Sequence, residues 1–218
     1  MAHDHDAEDF ANHFTQEFWD DRYGSAEQIW SGQPNAQLVA QAGELTPGEA
    51  LDVGCGEGAD VIWLASRGWA VTGVDVSPVA LERAAKHAAA QGGQVAGRIT
   101  WRQEDLLTWA PEPERFDLVT AAYMHLPGGA FESFQRGLAA AVRPGGTLLM
   151  MTHHPDDLHA NVGRTGHPGM FPSAEDLAAA LDPSAWKIAV ASAFPRPATD
   201  VDGQPTQVRD VVLRAVRH

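Results

Sequence analysis

The chain has 218 residues and is 44% hydrophobic, enough for one domain with a full core and incompatible with wholesale disorder. No run of about 18 apolar residues is present, so we expect no membrane partner. The formal charge of −14 disfavours nucleic acid, because no basic groove is visible to offset phosphate repulsion. The acidic start lacks a signal-peptide pattern, and a single cysteine permits no internal disulfide. We therefore expect a cytoplasmic protein.

The N-terminal region differs from the rest of the chain. Residues 1–13 are rich in Asp and His and predict a frayed or loosely helical start. Residues 14–30 then carry five aromatic side chains outside any clean period. We therefore predict an acidic tail and aromatic lid over residues 1–35, followed by one domain over residues 36–218. A short helix is expected at Ala36–Ala42, before a turn at Thr46–Gly48.

From residue 50 onward, strand-like runs alternate with helix-like segments, which is typical of a parallel sheet covered by helices on both faces. The predicted strands are Ala50–Val53, Trp69–Val74, Ile99–Gln103, Phe116–Ala121, Thr147–Thr152, Trp186–Phe194 and Val208–Val216. The predicted helices are Ala59–Arg67, Ser77–Gln91, Gly129–Val142 and Ser173–Leu181. The last two strands lack a helix between them. One of them should therefore be antiparallel, after a long loop rich in Pro and Gly.

A glycine-rich loop, in the segment Leu51–Gly58, stands between the first predicted strand and the next helix. Its glycines allow a tight turn and a close approach of the backbone to a ligand. No Gly-Lys-Ser/Thr follows, which excludes a phosphate-binding Walker loop. The cofactor-binding residues predicted here are Asp52, Gly54, Cys55, Gly56, Glu57 and Gly58, with Cys55 as a small packing residue.

Acidic residues also follow the next two strands. Asp75 lies 21 residues after Gly54, where a carboxylate can accept hydrogen bonds from both hydroxyl groups of a ribose. Asp105 is the preferred partner for an adenine amino group, with Glu104 or a plain helix cap as alternatives. Together these positions predict an adenosine-binding site.

The spacing of the glycine loop separates two cofactor classes. A dinucleotide site generally reads Gly-x-Gly-x-x-Gly, whereas this loop reads Gly-x-Gly-x-Gly with Asp52 before it and Glu57 within it. Two carboxylates would repel a pyrophosphate but attract the amino group and sulfonium of S-adenosylmethionine (SAM). The electrostatics therefore favour SAM, and a nicotinamide-dependent oxidoreductase stays as the weaker alternative.

Five segments in order resemble the motif set of class I SAM-dependent methyltransferases: Leu51–Gly58, Val74–Ser77, Glu104–Leu106, Phe116–Val119 and Arg143–Gly146. The resemblance covers roughly residues 48–152. It implies a single Rossmann-like, doubly wound α/β sheet of seven strands in the order 3-2-1-4-5-7-6, with strand 7 antiparallel, helices on both faces and a helical lid. It also implies SAM as cofactor and S-adenosylhomocysteine as product. Further cofactor contacts are expected at Val76, Leu106 and Ala121.

The segment from Phe18 to Asn35 is similar to the openings of thiopurine and tellurite-resistance methyltransferase-like enzymes. This similarity implies a lid that folds over the cofactor. We expect Trp19, Tyr23 and Trp30 either to face the sulfonium through cation–π contacts or to pack in the core.

The catalytic candidates follow the fourth and fifth strands. Tyr123 and His125 should point towards the methyl group, since ligands of open α/β sheets bind at the carboxyl ends of strands. His125 is expected either to act as general base for an oxygen or nitrogen nucleophile or simply to shape the pocket. His153 is the third candidate. Adjacent residues on a strand point to opposite faces, so His153 and His154 do not predict a shared metal site, and we expect no metal.

The predicted reaction is direct transfer of a methyl group to a small-molecule acceptor. A thiol or another chalcogen needs no base, whereas an oxygen or nitrogen nucleophile does. The alternative is a regulatory or scaffold protein that binds SAM without transferring its methyl group. A monomer or a homodimer is expected.

Overall fold

The computed structural model describes residues 15–126, 129–163 and 170–218. The predicted start over residues 1–13 and the aromatic Phe14 lie outside them. The helices are α1 (Gln16–Gly24), α2 (Ala36–Ala42), α3 (Ala59–Ser66), α4 (Pro78–Ala90), α5 (Gly93–Ala96), α6 (Gly129–Ala141), the 3-10 helix Pro155–His159, and α7 (Ala174–Ala179). The strands are β1 (Glu49–Val53), β2 (Ala70–Asp75), β3 (Ile99–Gln103), β4 (Phe116–Ala122), β5 (Val142–His153), β6 (Trp186–Thr199) and β7 (Pro205–Arg217).

The seven strands have the order β3-β2-β1-β4-β5-β7-β6. β1, β2 and β3 pair in parallel, as do β4 and β5, whereas β7 is antiparallel to both β5 and β6. The predicted fold class, strand order and antiparallel seventh strand are therefore confirmed. No helix in the described part of the chain is long and apolar enough to cross a bilayer.

The contacts divide the chain into two compact units. Of the described residues, the first unit comprises 15–35 and Thr46–Trp109, and the second comprises Ala36–Leu45, 110–126, 129–163 and 170–218. The first unit contains the lid helix α1, the glycine loop and β1 to β3. The second contains α2, β4 and β5, and the β6–β7 hairpin. In this second unit, the Arg214 guanidinium on β7 donates a hydrogen bond to the Gln41 carbonyl of α2.

In the first unit, the backbone at two glycines lies very close to a tryptophan side chain. Trp101 on β3 fills the space beside two glycines. A Cβ atom at Gly58 would lie 2.7 Å from the Trp101 ring, and a Cβ atom at Gly73 would lie 2.8 Å from it. The helix that follows β2 begins as expected, because the Ser77 hydroxyl accepts a hydrogen bond from the Ala80 N–H. These contacts place the ends of β1 and β2 and the glycine loop together.

In the second unit, the predicted bounds of four elements are wrong. The turn predicted at Arg143–Gly146 lies within β5 as a bulge, because the pairing of β4 with β5 shifts between Phe116 and Leu118. The last two strands are longer than predicted, so residues 200–204 alone join them. Pro residues on β6 suggested a loop but are tolerated there, since among the described strands β6 pairs only with β7. α7 is also shorter than predicted, although Ser173 caps it as expected.

The Trp101 contact gives a test of the packing. Replacing Gly73 with Ala should destabilise the protein by about 1–3 kcal/mol, because overpacking displaces neighbouring side chains. The new methyl group would lie 2.8 Å from the Trp101 ring and 3.0 Å from a Val61 methyl group. Urea unfolding followed by circular dichroism measures the loss. Gly93→Ala is the matched control, since no heavy atom lies within 4 Å of its added Cβ. Equal stability of the two variants would contradict this account.

Candidate functional site

The glycine loop in the first unit turns sharply after β1. Gly54 and Gly56 have φ values of +75° and +51°, which side chains disfavour. The N–H groups of Gly54 and Cys55 both donate hydrogen bonds to the Val74 carbonyl, at 2.8 and 3.0 Å. A Cβ atom at Gly56 would lie only 2.9 Å from the Tyr23 hydroxyl. The loop is therefore pinned to β2 at one end and covered closely by the lid.

Asp75, the predicted ribose ligand, is a buried carboxylate at the end of β2. Its two oxygens accept hydrogen bonds from the N–H groups of Gly56, at 2.8 Å, and Ser77, at 3.0 Å. Burial raises the pKa of Asp75 more than these bonds lower it. Each carboxylate oxygen has a further lone pair, so Asp75 retains the capacity to accept bonds from a ligand.

Asp52 and Asp60 add two further carboxylates to the glycine loop region. Burial, and then the charges of Asp60 and Asp75, raise the pKa of Asp52 well above its ordinary value. Burial raises the pKa of Asp60 to about 6, although it accepts a 2.6 Å hydrogen bond from the Asn35 N–H. Within the described ranges, no Lys, Arg or His forms an ion pair with any of these three carboxylates. These three carboxylates therefore lack a neighbouring cation among the described side chains, and their raised pKa values favour the uncharged form until a cation binds nearby.

The aromatic residues of the lid form a connected group. The Trp30 indole N–H donates a 3.0 Å hydrogen bond to the Tyr23 hydroxyl, and the ring of Trp19 lies 5.9 Å from that of Tyr23. Arg22 lies over the rings of Trp19 and Trp30. Tyr23 is buried, and burial is the main reason that its pKa is raised. Tyr23 therefore packs in the interior and also accepts a hydrogen bond. Trp30, in contrast, is 46% exposed.

Glu57 occupies an environment that the sequence did not predict. Its carboxylate accepts hydrogen bonds from the N–H groups of Ile29 and Trp30 and forms a 3.0 Å ion pair with Arg83. Both of its oxygens are therefore engaged by protein groups. Glu57 therefore holds the segment between α1 and α2 through two backbone N–H groups, and Arg83 pairs with its charge.

A cleft of about 420 Å³ lies beside the ends of β2 and β3. Its lining brings together three predicted residues and four others: Val76, Glu104 and Asp105 with Thr15, Gln16, Gln103 and Leu107. The predicted Leu106 is not among these lining residues, whereas the adjacent Leu107 is. The missed Gln16 and Gln103 are joined by a 3.0 Å hydrogen bond between their side-chain amides.

The two acidic side chains of this cleft already have protein partners. Asp105 accepts hydrogen bonds from the Leu107 N–H and the Thr108 hydroxyl, so it caps its own turn. Glu104 forms a 2.5 Å ion pair with Arg102. No described helix begins directly after Asp105, so its local contacts are those of a turn, and both carboxylates keep unused lone pairs.

In the second unit, the three catalytic candidates form one stack of rings. Tyr123 stacks on His153 with 4.3 Å between ring centroids, and His153 stacks on His125 at 4.9 Å. Phe171, which sequence reasoning missed, lies 4.6 Å from His125. His154 does not join this stack and instead caps the 3-10 helix by accepting a bond from the Asp156 N–H. Ala121, the last predicted cofactor contact, is a buried residue of β4.

Tyr123 is held in an unusual conformation. Its φ is +56°, rare for a residue with a large side chain, and its N–H donates a 2.7 Å hydrogen bond to the Met151 carbonyl. Its hydroxyl donates to Asp210 at 3.1 Å, and Asp210 pairs with Arg196 at 3.0 Å. Strained backbone held by several contacts is frequent at functional sites. Asp210 could have been identified from the sequence as the one acidic residue in the apolar strand Val208–Val216.

Several known proteins are similar to this chain in sequence or in fold. Residues 50–146 match the model of a family described as a methyltransferase domain. The chain is 36% identical over 155 residues to a ubiquinone biosynthesis O-methyltransferase of Alkalilimnicola ehrlichii, covering 69% of this chain and 60% of the relative. It is 28% identical over 144 residues to a probable thiol methyltransferase 2 of Arabidopsis thaliana, covering 64% and 62%. The chain thus spans about three fifths of the length of these curated relatives.

A solved structure extends the likeness over nearly the whole chain. It concerns the conversion of a disulfide bond into a thioacetal group during echinomycin biosynthesis. The TM-score is 0.71 and the identity 25%, with 93% of this chain and 92% of the other covered. The resemblance to class I methyltransferases seen in the sequence is therefore confirmed.

The raised pKa of Asp60 gives a prediction for the protein without cofactor. A carboxyl whose pKa is about 6 when folded and 3.8 when unfolded stabilises the fold at low pH, and that stability is lost as the pH rises through 6. Asp60→Asn should therefore be more stable than the wild type by about 1 kcal/mol at pH 7.5, and by less at pH 5.

Urea unfolding at the two pH values measures this difference. Asp182→Asn is the control, because Asp182 is exposed and hydrogen bonds from Ser184 lower its pKa. A wild type that is more stable than Asp60→Asn at pH 7.5 would contradict the charge balance described here.

Proposed function

We propose that this chain, whose residues 50–146 form a methyltransferase domain, transfers the methyl group of SAM to a small-molecule acceptor. One observation carries the proposal: the glycine loop is surrounded by Asp52, Asp60 and Asp75, none of which has a cationic partner among the described side chains. A pyrophosphate would be repelled by these carboxylates, whereas an amino group and a sulfonium would be stabilised. The electrostatics therefore support SAM over a nicotinamide dinucleotide.

The remaining parts of the first unit fit the other groups of this cofactor. Gly54, Gly56 and Gly58 keep the loop free of side chains where Cβ atoms would collide with neighbours or need an unfavourable φ. We assign the ribose hydroxyls to Asp75 and the adenine to the cleft that Val76, Glu104 and Asp105 line. Cys55 is assigned a packing role, because burial and the charge of Asp75 raise the pKa of its thiol.

We assign the acceptor to the second unit, where Tyr123, His125 and His153 stack beyond the ends of β4 and β5. When bound, SAM supplies an already activated methyl group, so the protein has to align the nucleophile and remove its proton. Tyr123 forms hydrogen bonds with Asp210 and Arg196, and we propose that these bonds fix its ring as one wall of the acceptor site. His125 is the proposed general base for a hydroxyl or amine acceptor.

The names of the similar proteins support two acceptor classes. One relative is named as a probable thiol methyltransferase and another as an O-methyltransferase, and the solved structure concerns sulfur chemistry. We therefore propose a thiol or a hydroxyl group as the methyl acceptor. A thiol ionises near neutral pH and depends little on a base, whereas an alcohol or phenol depends on one strongly.

The cofactor assignment is tested by calorimetric titration with S-adenosylhomocysteine beside NAD. The wild type should bind S-adenosylhomocysteine and not NAD, and Asp75→Ala should bind it at least tenfold more weakly, since two hydrogen bonds to a carboxylate are lost. Asp117→Ala, at the start of β4, is the matched control and should bind as the wild type does. Binding of NAD, or undiminished binding by Asp75→Ala, would contradict the proposal.

The role of His125 is tested by steady-state kinetics with a panel of phenols and thiols. His125→Ala should lower kcat about 10² to 10³ fold with a phenol and much less with a thiol, while the affinity for S-adenosylhomocysteine stays the same. His159→Ala, an exposed histidine of the same unit, serves as the control. Unchanged turnover of phenols by His125→Ala would exclude the general-base role.

A further inference from the structure

We propose that Glu57 is a positioning residue that fastens the lid to the glycine loop, and that it does not bind the cofactor directly. The expected effect on ligand release rests on the proposed function, in which the ligand under the lid is SAM. The attachment itself is a property of the protein alone. It can therefore be tested whether or not SAM binds.

Both oxygens of the Glu57 carboxylate accept hydrogen bonds from the lid or from a cation. One oxygen accepts 3.1 Å hydrogen bonds from the N–H groups of both Ile29 and Trp30. The other oxygen pairs with the Arg83 guanidinium at 3.0 Å. Glu57 is only 5% exposed, so these bonds are shielded from water. A charged acceptor binds two adjacent N–H groups more strongly than a neutral one does.

The backbone N–H groups in this part of the lid need a carboxylate acceptor, because the segment has no regular secondary structure. Residues 25–35, between α1 and α2, contain neither helix nor strand. Backbone N–H groups in such a segment have no partner in a helix or sheet and must find another when they are buried. Glu57 satisfies two of them, and Asp60 satisfies a third at the Asn35 N–H. Both carboxylates come from the loop and the first turn of the helix after it.

The consequence is the placement of two aromatic side chains. Trp30, whose N–H is bound by Glu57, directs its indole N–H to the Tyr23 hydroxyl at 3.0 Å. A Cβ atom at Gly56 would lie 2.9 Å from that hydroxyl and 3.3 Å from the indole nitrogen. Glu57 and Gly56 are neighbours in one loop, so a movement of this loop acts directly on the lid. The lid should therefore loosen when the Glu57 carboxylate is lost, which speeds the release of a ligand held beneath it.

A variant of Arg83 distinguishes the hydrogen bonds that Glu57 makes to the lid from its ion pair alone. It contacts Glu57 but neither of the two lid N–H groups that Glu57 binds. Glu57→Gln removes the charge on which both the lid bonds and the ion pair depend. Arg83→Met removes the ion pair alone. Glu82→Gln removes an exposed ion pair with Lys86 from the same helix and is the matched control.

The first experiment measures hydrogen exchange of the Ile29 and Trp30 amides by NMR in the cofactor-free protein. We expect exchange about tenfold faster in Glu57→Gln, a smaller increase in Arg83→Met, and none in Glu82→Gln. Unfolding midpoints of all variants identify any global loss of stability. Unchanged exchange in Glu57→Gln, or an equal effect in Arg83→Met, would overturn the inference.

The second experiment measures release of S-adenosylhomocysteine by stopped-flow tryptophan fluorescence. Glu57→Gln should raise the dissociation rate about tenfold with little change in the association rate. A dissociation rate in Glu57→Gln that is no faster than in the wild type and in Glu82→Gln would overturn the inference. Failure of the wild type to bind S-adenosylhomocysteine would instead reject the proposed function, and the exchange experiment would still decide the role of Glu57.

Discussion

The first unit depends on three carboxylates around one glycine loop, of which Asp52 and Asp75 are buried and Asp60 is half-buried. Asp52, Asp60 and Asp75 are close enough that the charges of Asp60 and Asp75 raise the pKa of Asp52. Backbone N–H groups of the glycine loop, the lid and Ser77 solvate Asp75 and Asp60 in part. These bonds do not offset burial, since the pKa values of Asp75 and Asp60 are still raised. The arrangement favours a ligand that brings positive charge.

Two other buried carboxylates, each paired with an arginine, show the contrast. Glu57 has Arg83, and Asp210 has Arg196, at 3.0 Å in each case. Each of these two pairs also holds another group, the lid backbone in one case and the Tyr123 hydroxyl in the other. A carboxylate with its own cation can position neighbours without needing a ligand. We therefore read Glu57 and Asp210 as positioning residues and the three carboxylates at the loop as the ligand-binding charge.

The sequence predicted those features that depend on local pattern. The strand Ile99–Gln103 and the helix Ala36–Ala42 have the predicted bounds, because short apolar runs and turn residues mark their ends. The glycines and Asp75 were found because their spacing follows the strand-to-helix turn. The partners of Glu57 and Tyr123 were not predicted, since Ile29 and Asp210 are 28 and 87 residues away and only tertiary packing brings them near. Trp101 was missed for the same reason.

Proton release on SAM binding tests the central claim most directly. Calorimetry at pH 6 in two buffers of different ionisation enthalpy counts the protons released. A bound cation lowers the pKa of carboxyls that are partly protonated at this pH, so the wild type should release protons and Asp60→Asn should release fewer. Binding without proton release, or with equal release by both proteins, would contradict the claim that these carboxylates hold the positive charge of the cofactor.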